Sequence, residues 1–528
     1  MHYAFFKSFF SLRKLSIISE LKDVSNEVVT KFKVEYLLFL LPLILLFIYL
    51  KKAPKKDYSY PTIGKIIISL VCIFLLVLIK DSILDEYSSN DSSSDITSDT
   101  YLYNNINSNL RFYDEFGSFE YIIKDAQRLK VKDSDYTVKD IVEINDFITE
   151  TKGQRSDLSG TYQGKNLVLI LCESLGPQAI KEDLTPTLYK LSKEGTYFTN
   201  YYAPLYPSNT NDSEFMSQTG MMPSIDYGTT SKDFGSNYYP YALANLFKKE
   251  GYSVNSYHSH VKEFYNRETL HKSFGFEYLY DKEDLDLVLD GKEFNNWIDD
   301  SNLFEKVIEN TDTTKPFYDF VITTSGHMPY YSGRSEILEN YQKVKELYPD
   351  IPNQAAYYYA AQMKLDEGIK VLIEKLDEKG VLDNTIIMLF GDHYPYGIDH
   401  EDTLDFFYGD LENTYDIYKT PFIIYDSTST GQENGTLAST FDIFPTITSL
   451  FNLDDSKAYT VGEDLFYEDD DNRYVLFPDY SVLANNFYYD ASSQTIVGKD
   501  TYNILIKAKN HYKYSQIILA SNYYQLVQ

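Results

Sequence analysis

The run Leu167-Val-Leu-Ile-Leu171, closed by Cys172-Glu173-Ser174, constrains this chain more than any other stretch. Five consecutive Leu/Val/Ile residues with no polar alternation read as a strand buried on both faces, the kind found at the centre of a parallel sheet. A carboxylate just past such a strand sits where open α/β sheets bind ligands, outside the carboxyl ends of their strands. Two further runs repeat the pattern. Phe317-Tyr-Asp-Phe-Val-Ile322 ends in Thr323-Thr-Ser-Gly-His327, and Thr385-Ile-Ile-Met-Leu-Phe390 ends in Gly391-Asp392-His393. Pro421-Phe-Ile-Ile-Tyr425 is a fourth strand. A helix is expected over 360–379, because Leu365, Ile369, Leu372 and Leu376 form one apolar stripe and Gly380 can stop it. Strand and helix signals alternate from 165 to 453, the mark of an α/β domain. From Tyr474 to the end, short Tyr/Val/Ile runs between Asn, Asp and Ser clusters predict a small antiparallel sheet.

The N-terminal part is different in kind. Residues 1–33 mix aromatics with basic residues and carry no cleavable leader pattern. Two apolar runs follow, at about 34–50 and 63–79, each close to the length that crosses a bilayer. The loop between them holds Lys51, Lys52, Lys55 and Lys56, and positive loops stay in the cytoplasm. Everything after Lys80 is then expected outside the cell. Residues 81–100 are acidic and Ser-rich, a composition that buries no core. The expected organisation is a membrane domain at 1–80 with two transmembrane helices, an extracellular linker and helical tether at 81–160, a catalytic domain at 161–455 and a small C-terminal lobe at 456–528. The net charge of -30 argues against a nucleic-acid partner and calls for a cation wherever an anionic substrate is handled. Cys72 and Cys172, the two cysteines, both lie in apolar runs and are not expected to pair.

Three predicted strands thus end in metal-competent residues: Glu173, His327 and the pair Asp392-His393. Their convergence on one sheet edge is the signal, since each alone is weak. A set of carboxylates, imidazole and a hydroxyl favours Mn²⁺ or Mg²⁺, with Zn²⁺ admitted by the imidazole. Thr210, in Ser208-Asn-Thr-Asn-Asp-Ser-Glu-Phe215, is the candidate nucleophile, because a threonine hydroxyl is a poor one near neutral pH unless a metal activates it. A further cluster runs Tyr257-His258-Ser-His260 and then Phe264-Tyr-Asn-Arg267. Arg267 has the planar fork that grips phosphate, Tyr265 has a face on which a glycerol or sugar unit stacks, and His258 or His327 suits a phosphate contact or a general acid.

These pieces, in this order, resemble the lipoteichoic acid synthase family within the alkaline phosphatase and sulfatase superfamily. The resemblance rests on Lys165-Asn-Leu-Val-Leu-Ile-Leu-Cys-Glu-Ser174, Leu184-Thr-Pro-Thr-Leu188, Gly195-Thr-Tyr-Phe198, Thr210-Asn-Asp-Ser-Glu-Phe215, Phe264-Tyr-Asn-Arg267, Ser325-Gly-His-Met-Pro-Tyr330, Gly391-Asp-His-Tyr394 and Asp442-Ile-Phe-Pro-Thr446. It implies a sulfatase-like sandwich with a mostly parallel central sheet, a small C-terminal antiparallel sheet and N-terminal transmembrane helices. It implies that Glu173, Thr210, Asp392 and His393 hold a Mn²⁺-like ion, that Thr210 is the nucleophile, and that His258, Tyr265, Arg267 and His327 line a glycerophosphate pocket. The implied reaction moves glycerol phosphate from phosphatidylglycerol, through a threonine intermediate, to a glycolipid-anchored polyglycerolphosphate or glycan acceptor, releasing diacylglycerol at the cell membrane. The chain departs from the family in having two convincing spans where about five are usual, His260 where Asp or Asn is commoner, and Tyr265 where Trp is usual. A sulfatase activity is disfavoured because no Cys-x-Pro-x-Arg motif precedes Asp212. Phosphoethanolamine transfer and glycerol phosphate transfer to a capsule or wall glycan stay open.

Overall fold

The computed structural model describes residues 99–106, 109–127, 136–150, 154–225, 229–287, 297–411, 413–468, 472–500 and 503–528, with isolated positions at 11, 12, 44, 45, 48 and 51. The apolar runs at 34–50 and 63–79 and the linker at 81–98 lie almost wholly outside the described residues. No described helix is long and apolar enough to cross a membrane.

Among the described residues fourteen strands are numbered in chain order: β1 Asn166–Cys172, β2 Thr196–Phe198, β3 Tyr201–Tyr202, β4 Ser253–His258, β5 Tyr278–Tyr280, β6 Phe317–Ile322, β7 Thr385–Gly391, β8 Phe422–Tyr425, β9 Gln432–Asn434, β10 Ala438–Ser439, β11 Tyr474–Leu476, β12 Val482–Ala484, β13 Phe487–Asp490 and β14 Thr495–Gly498. Eight of them form one sheet in the order β5-β4-β6-β1-β7-β8-β2-β9. β1 lies at its middle, parallel to β6 on one side and β7 on the other, and β8 alone runs against the rest. The unbroken apolar runs have the physical cause the sequence suggests. In β1, Leu167, Leu169 and Leu171 enter one core while Val168, Ile170 and Cys172 enter the other. β7 repeats this with Ile386, Met388 and Phe390 against Ile387 and Leu389. Side chains alternate across a strand, so a strand with helices on both faces must be apolar at every position.

One core is covered by helices Pro186–Glu194, Asp300–Asn310, Leu338–Leu347 and Asn353–Glu378. The expected apolar stripe at Leu365, Ile369, Leu372 and Leu376 is fully buried there, and the helix starts earlier than predicted, straight after Pro352. The other core takes helices Thr210–Thr219, Leu243–Lys249, Arg267–Phe274 and Ile443–Leu450. It also takes Ile144 and Ile148 from helix Val138–Glu150, so this part of the expected tether is docked on the domain through its apolar face.

The C-terminal part contains the predicted antiparallel sheet, β11-β12-β13-β14. Its last stretch corrects the sequence reading, because the chain beyond Gly498 forms a helix, Ile504–Ser521. Ile504, Ala508 and Tyr512 recur every fourth residue and are buried in the main core, a helical spacing that the Tyr- and Ile-rich composition disguised. Tyr206 donates its hydroxyl to the Leu476 carbonyl at 3.0 Å, and Gln516 accepts from the Ile225 amide at 3.0 Å, so the lobe is bonded to the domain.

β6 carries a charged exception to this apolar pattern. Asp319 in β6 is fully buried; its Oδ2 accepts from the Thr311 hydroxyl at 2.5 Å, and its Oδ1 has no hydrogen-bond partner among the described residues. Burial pushes its carboxyl up to about 7. Between the unfolded value near 4 and that folded value, the native state holds the extra proton, so this group's contribution falls as pH rises through the window and is flat above it. Thermal melts of Asp319→Asn against the unsubstituted protein at pH 5 and pH 8 should therefore show a difference in Tm that moves in the variant's favour at pH 8. A pH-independent difference would contradict this account.

Candidate active site

The carboxyl ends of β1, β4, β6 and β7 lie side by side, and each delivers polar groups. Cys172 ends β1 and Glu173 follows. Gly391 ends β7, and Asp392 and His393 follow. Ile322 ends β6, beyond which the loop runs to His327, and His258 is the last residue of β4. Cys172 and Gly391 are register partners, as are His258 and Ile322, so the metal-competent residues leave the sheet at one level. β4 and its His258 were not recognised as a strand in the sequence, because Ser253-Val-Asn-Ser-Tyr-His258 is half polar.

Two close backbone approaches shape the crossing. A Cβ on Gly326 would lie 2.1 Å from the Glu173 carbonyl oxygen, and one on Gly391 would lie 2.3 Å from that of Leu175. Glycine at both positions lets the loops after β6 and β7 close on the turn after β1. Ser174 takes a left-handed backbone, φ 54°, which turns its amide to donate to Asp392 Oδ1 at 2.8 Å while its hydroxyl donates to Glu173 Oε1 at 2.8 Å.

Thr210 opens helix Thr210–Thr219, preceded by Asn209 at φ 49°. A non-glycine residue in this region is strained, and such strain concentrates at functional sites. Here it is held by Asn209 Nδ2 donating to the Tyr396 hydroxyl at 2.8 Å and by Asp212, which accepts from the Ser208 amide at 2.7 Å and the Thr230 hydroxyl at 2.9 Å. The Thr210 hydroxyl donates to Glu173 Oε2 at 3.1 Å. Thr210 is half-buried, whereas Glu173, Asp392 and His393 are buried.

Glu173, Asp392 and His393 offer ligand atoms within 4.8 Å of one another. His393 Nδ1 donates to the Tyr394 carbonyl at 3.0 Å, which leaves the Nε2 lone pair facing inward. Nε2 is 3.2 Å from Asp392 Oδ2 and 3.7 Å from Glu173 Oε1. Neither Asp392 Oδ2 nor His393 Nε2 has a hydrogen-bond partner among the described residues. Burial, and then the charge of Glu173, push the Asp392 carboxyl far up, and burial pushes the His393 imidazole down. Burial also opposes ionisation of Glu173, but His327, His393 and the Ser174 and Thr210 hydroxyls outweigh it and hold that carboxyl below its usual range. Two buried acceptors with no donor, set against the Glu173 carboxylate, are costly unless a cation joins them, so these residues fit a divalent metal. Carboxylate oxygens, one imidazole and an adjacent hydroxyl suit Mn²⁺, Mg²⁺ or Zn²⁺. Cys172, next to the cluster, has its thiol pushed well up by burial, which leaves it inert.

The second group of expected residues forms the adjoining wall. His258 Nδ1 donates to the Ile322 carbonyl at 3.1 Å. Burial, and then Arg267, drive its imidazole well down, so it is neutral and presents Nε2 as an acceptor. Rings connect it onward: His258 to His260 at 6.1 Å, His260 to Trp297 at 6.2 Å and Trp297 to His327 at 4.3 Å. Burial depresses His260 to about 3, so it too is neutral. His327 Nδ1 donates to the Met328 carbonyl at 2.7 Å. Its loop is clamped by Asp300, which accepts from the Thr324 and Ser325 amides at 3.0 and 3.1 Å, and by Arg334, which donates to the Ser325 and His327 carbonyls. Tyr265 packs edge-on against Phe264 at 4.7 Å. Arg267 departs from the expected open fork. It is almost fully buried, and its Nε and Nη2 are taken by Glu214. Sequence reasoning passed over Trp297, Asp300 and Arg334, none of which sits in a recognisable motif.

Residues 165–453 match the sulfatase family model, and the chain belongs to that family. Among curated relatives, it is 26% identical over 401 residues to lipoteichoic acid synthase 1 of Bacillus subtilis, covering 72% of this chain and 61% of the relative. It is 24% identical over 515 residues to the lipoteichoic acid synthase of Staphylococcus aureus, covering 93% of this chain and 75% of the relative. The crystal structure of lipoteichoic acid synthase LtaP from Listeria monocytogenes superposes with a TM-score of 0.57 at 23% identity, over 74% of this chain and 99% of that one. This likeness bears on the fold, an alkaline phosphatase-like sandwich with a mostly parallel sheet.

The acceptor cluster makes a crossed prediction for metal binding. Saturating Mn²⁺ at about 100 times its Kd should stabilise the full-length protein by about 2.7 kcal/mol. Asp392→Asn should match or exceed the unsubstituted protein in EDTA and gain nothing from Mn²⁺. Calorimetry in both media checks this, and equal Mn²⁺ stabilisation of the two proteins would contradict it.

Proposed function

We propose that this chain is a membrane-anchored extracellular phosphotransferase that moves glycerol phosphate from phosphatidylglycerol, through Thr210, to a lipoteichoic acid-type chain, releasing diacylglycerol. The observation that carries this reading is the half-buried Thr210 hydroxyl, 3.1 Å from Glu173 Oε2, beside acceptors from Asp392 and His393 that lack a donor. The lipoteichoic acid synthases among its relatives support the substrate class. In this reading 1–80 is the membrane domain, 161–455 the catalytic domain and 456–528 its C-terminal lobe.

Glu173, Thr210, Asp392 and His393 would hold the ion, which Mn²⁺ suits best. A divalent cation bound there lowers the pKa of a coordinated hydroxyl and offsets charge on a phosphoryl oxygen. Thr210 gives up its hydroxyl proton to solvent, its Oγ forms the bond to phosphorus, and the bond from phosphorus to the diacylglycerol oxygen breaks. Standing at the start of a helix, Thr210 brings the reacting phosphoryl group close to backbone amides that favour negative charge. His258 accepts a glycerol hydroxyl through Nε2 and orients the headgroup, with Tyr265 and Arg267 completing the wall. His327, fixed through Nδ1, presents Nε2 to the leaving oxygen and supplies its proton. In the second step His327 takes the proton of the incoming acceptor hydroxyl as that oxygen displaces Thr210. Transfer to a capsule or wall glycan uses the same first step, as does phosphoethanolamine transfer with another headgroup.

Diacylglycerol release from phosphatidylglycerol by the full-length protein with Mn²⁺ tests the donor. It should be absent in Thr210→Ala and absent with phosphatidylethanolamine. Consumption of phosphatidylethanolamine alone would overturn the donor assignment. His327→Gln should lower kcat on phosphatidylglycerol by about 10²- to 10⁴-fold. With a p-nitrophenyl phosphodiester, whose leaving group needs no proton, the loss should be far smaller, and an equal loss on both donors would contradict the general-acid role.

A further inference from the structure

Glu214 lies one turn after Thr210 on helix Thr210–Thr219, and His271 lies one turn after Arg267 on helix Arg267–Phe274. Residues four apart share a helix face, so each pair presents two groups to one neighbour. The Glu214 carboxylate is fully buried. It accepts from Arg267 Nε at 2.8 and 3.0 Å, from Arg267 Nη2 at 2.6 Å and from His271 Nε2 at 3.0 Å. Burial lowers His271, which is therefore neutral; with its Nε2 proton directed at Glu214, its Nδ1 accepts from the Ser256 hydroxyl at 2.8 Å. Ser256 belongs to β4, two residues before His258. A closed set of charge-assisted bonds thus ties the helix of Thr210, the helix of Arg267 and the strand of His258 together.

Arg267 Nη1 is the one nitrogen of the guanidinium outside this set. It is buried and has no hydrogen-bond partner among the described residues. The guanidinium is near enough to His258 and His260 to depress both imidazoles. A buried cationic N–H without an acceptor is costly, and a phosphoryl oxygen, the acceptor that the proposed function brings to this site, would satisfy it.

We infer that Glu214 is a positioning residue: by occupying Nε and Nη2 of Arg267 it fixes the guanidinium relative to Thr210 and leaves Nη1 as the guanidinium nitrogen that serves the phosphoryl group. The inference rests on the proposed phosphoryl transfer and narrows it, since Arg267 then contacts the substrate through Nη1 alone and not through the Nε–Nη2 fork.

The test uses the full-length protein in detergent with Mn²⁺ and the variants Glu214→Gln, Glu214→Asp, Arg267→Ala and Glu214→Gln/Arg267→Ala. Three quantities are read: kcat and KM on phosphatidylglycerol, Mn²⁺ affinity by electron paramagnetic resonance, and binding of sn-glycerol phosphate by fluorescence of Trp297, the one tryptophan of the chain. Glu214→Gln should lower kcat by about 10- to 100-fold, the scale of a misplaced catalytic group, with a smaller change in KM. Mn²⁺ affinity should be unchanged, and Glu214→Asp should recover part of the loss. The double variant should be no worse than Arg267→Ala, because Glu214 then has nothing to position. Additive losses, or a Glu214→Gln protein that only melts lower and keeps its kcat, would overturn the inference. Should Glu214→Gln fail to fold, Ser256→Ala removes the outermost bond of the same network, and non-additivity with Arg267→Ala is again the expected result. If the protein binds sn-glycerol phosphate without consuming phosphatidylglycerol, the donor assignment fails while the coupling is still measured in the binding constants.

Discussion

Three acceptors meet in a buried place: Glu173, and beside it Asp392 Oδ2 and His393 Nε2, neither of which has a donor among the described residues. The rest of the domain depends on this arrangement, because nothing apolar and no water-sized gap resolves it as well as a positive ion. His393 is committed to it by its Nδ1 bond to the Tyr394 carbonyl, which fixes the tautomer. Asp392 is committed by the Ser174 amide, which occupies Oδ1 and leaves Oδ2 over. The residues are therefore held in an arrangement that fits a cation before any substrate arrives, as the proposed function requires.

The sheet supplies rigidity and the loops supply strain. β1 and β7 are in register through seven pairs from Asn166 with Thr385 to Cys172 with Gly391, so Glu173 and Asp392 leave adjacent strands at equal height. The turns beyond them are tight enough to need glycine at 326 and 391 and a left-handed Ser174. Asn209 is held in a similar conformation on the opposite wall, which aims Thr210 at the acceptors. The Glu214–Arg267–His271 set then connects the helix that Thr210 opens to β4. Breaking one partner of such a buried pair is costly, at about 3–5 kcal/mol, so it gives the site a single geometry.

Much of this was legible in the sequence where burial writes a pattern. β1, β6 and β7 are buried on both faces, and their runs of Leu, Val, Ile and Phe announce it. The residues just past them are few and polar, so Glu173, His327, Asp392 and His393 stood out. β4 did not, because Asn255 and Ser256 make hydrogen bonds that let polar groups sit in a buried strand. The helix at Ile504–Ser521 was hidden by β-favouring residues, since tertiary packing overrides local propensity. Arg267 was recognised as a cation near the site, but its partner Glu214 lies 53 residues earlier, and no spacing rule links the two. Trp297 and Arg334 reach the site from loops whose sequence carries no periodicity.

The central claim is that Thr210 becomes covalently loaded with the transferred group. Intact-protein and peptide mass spectrometry after incubation with phosphatidylglycerol and Mn²⁺ tests it most directly. The account predicts a glycerophosphate adduct on the peptide that begins the helix at Thr210, formed only when metal is present and lost when a hydroxyl acceptor is added. A folded, Mn²⁺-loaded protein that turns over the lipid with no adduct, or carries it on another residue, would contradict the account.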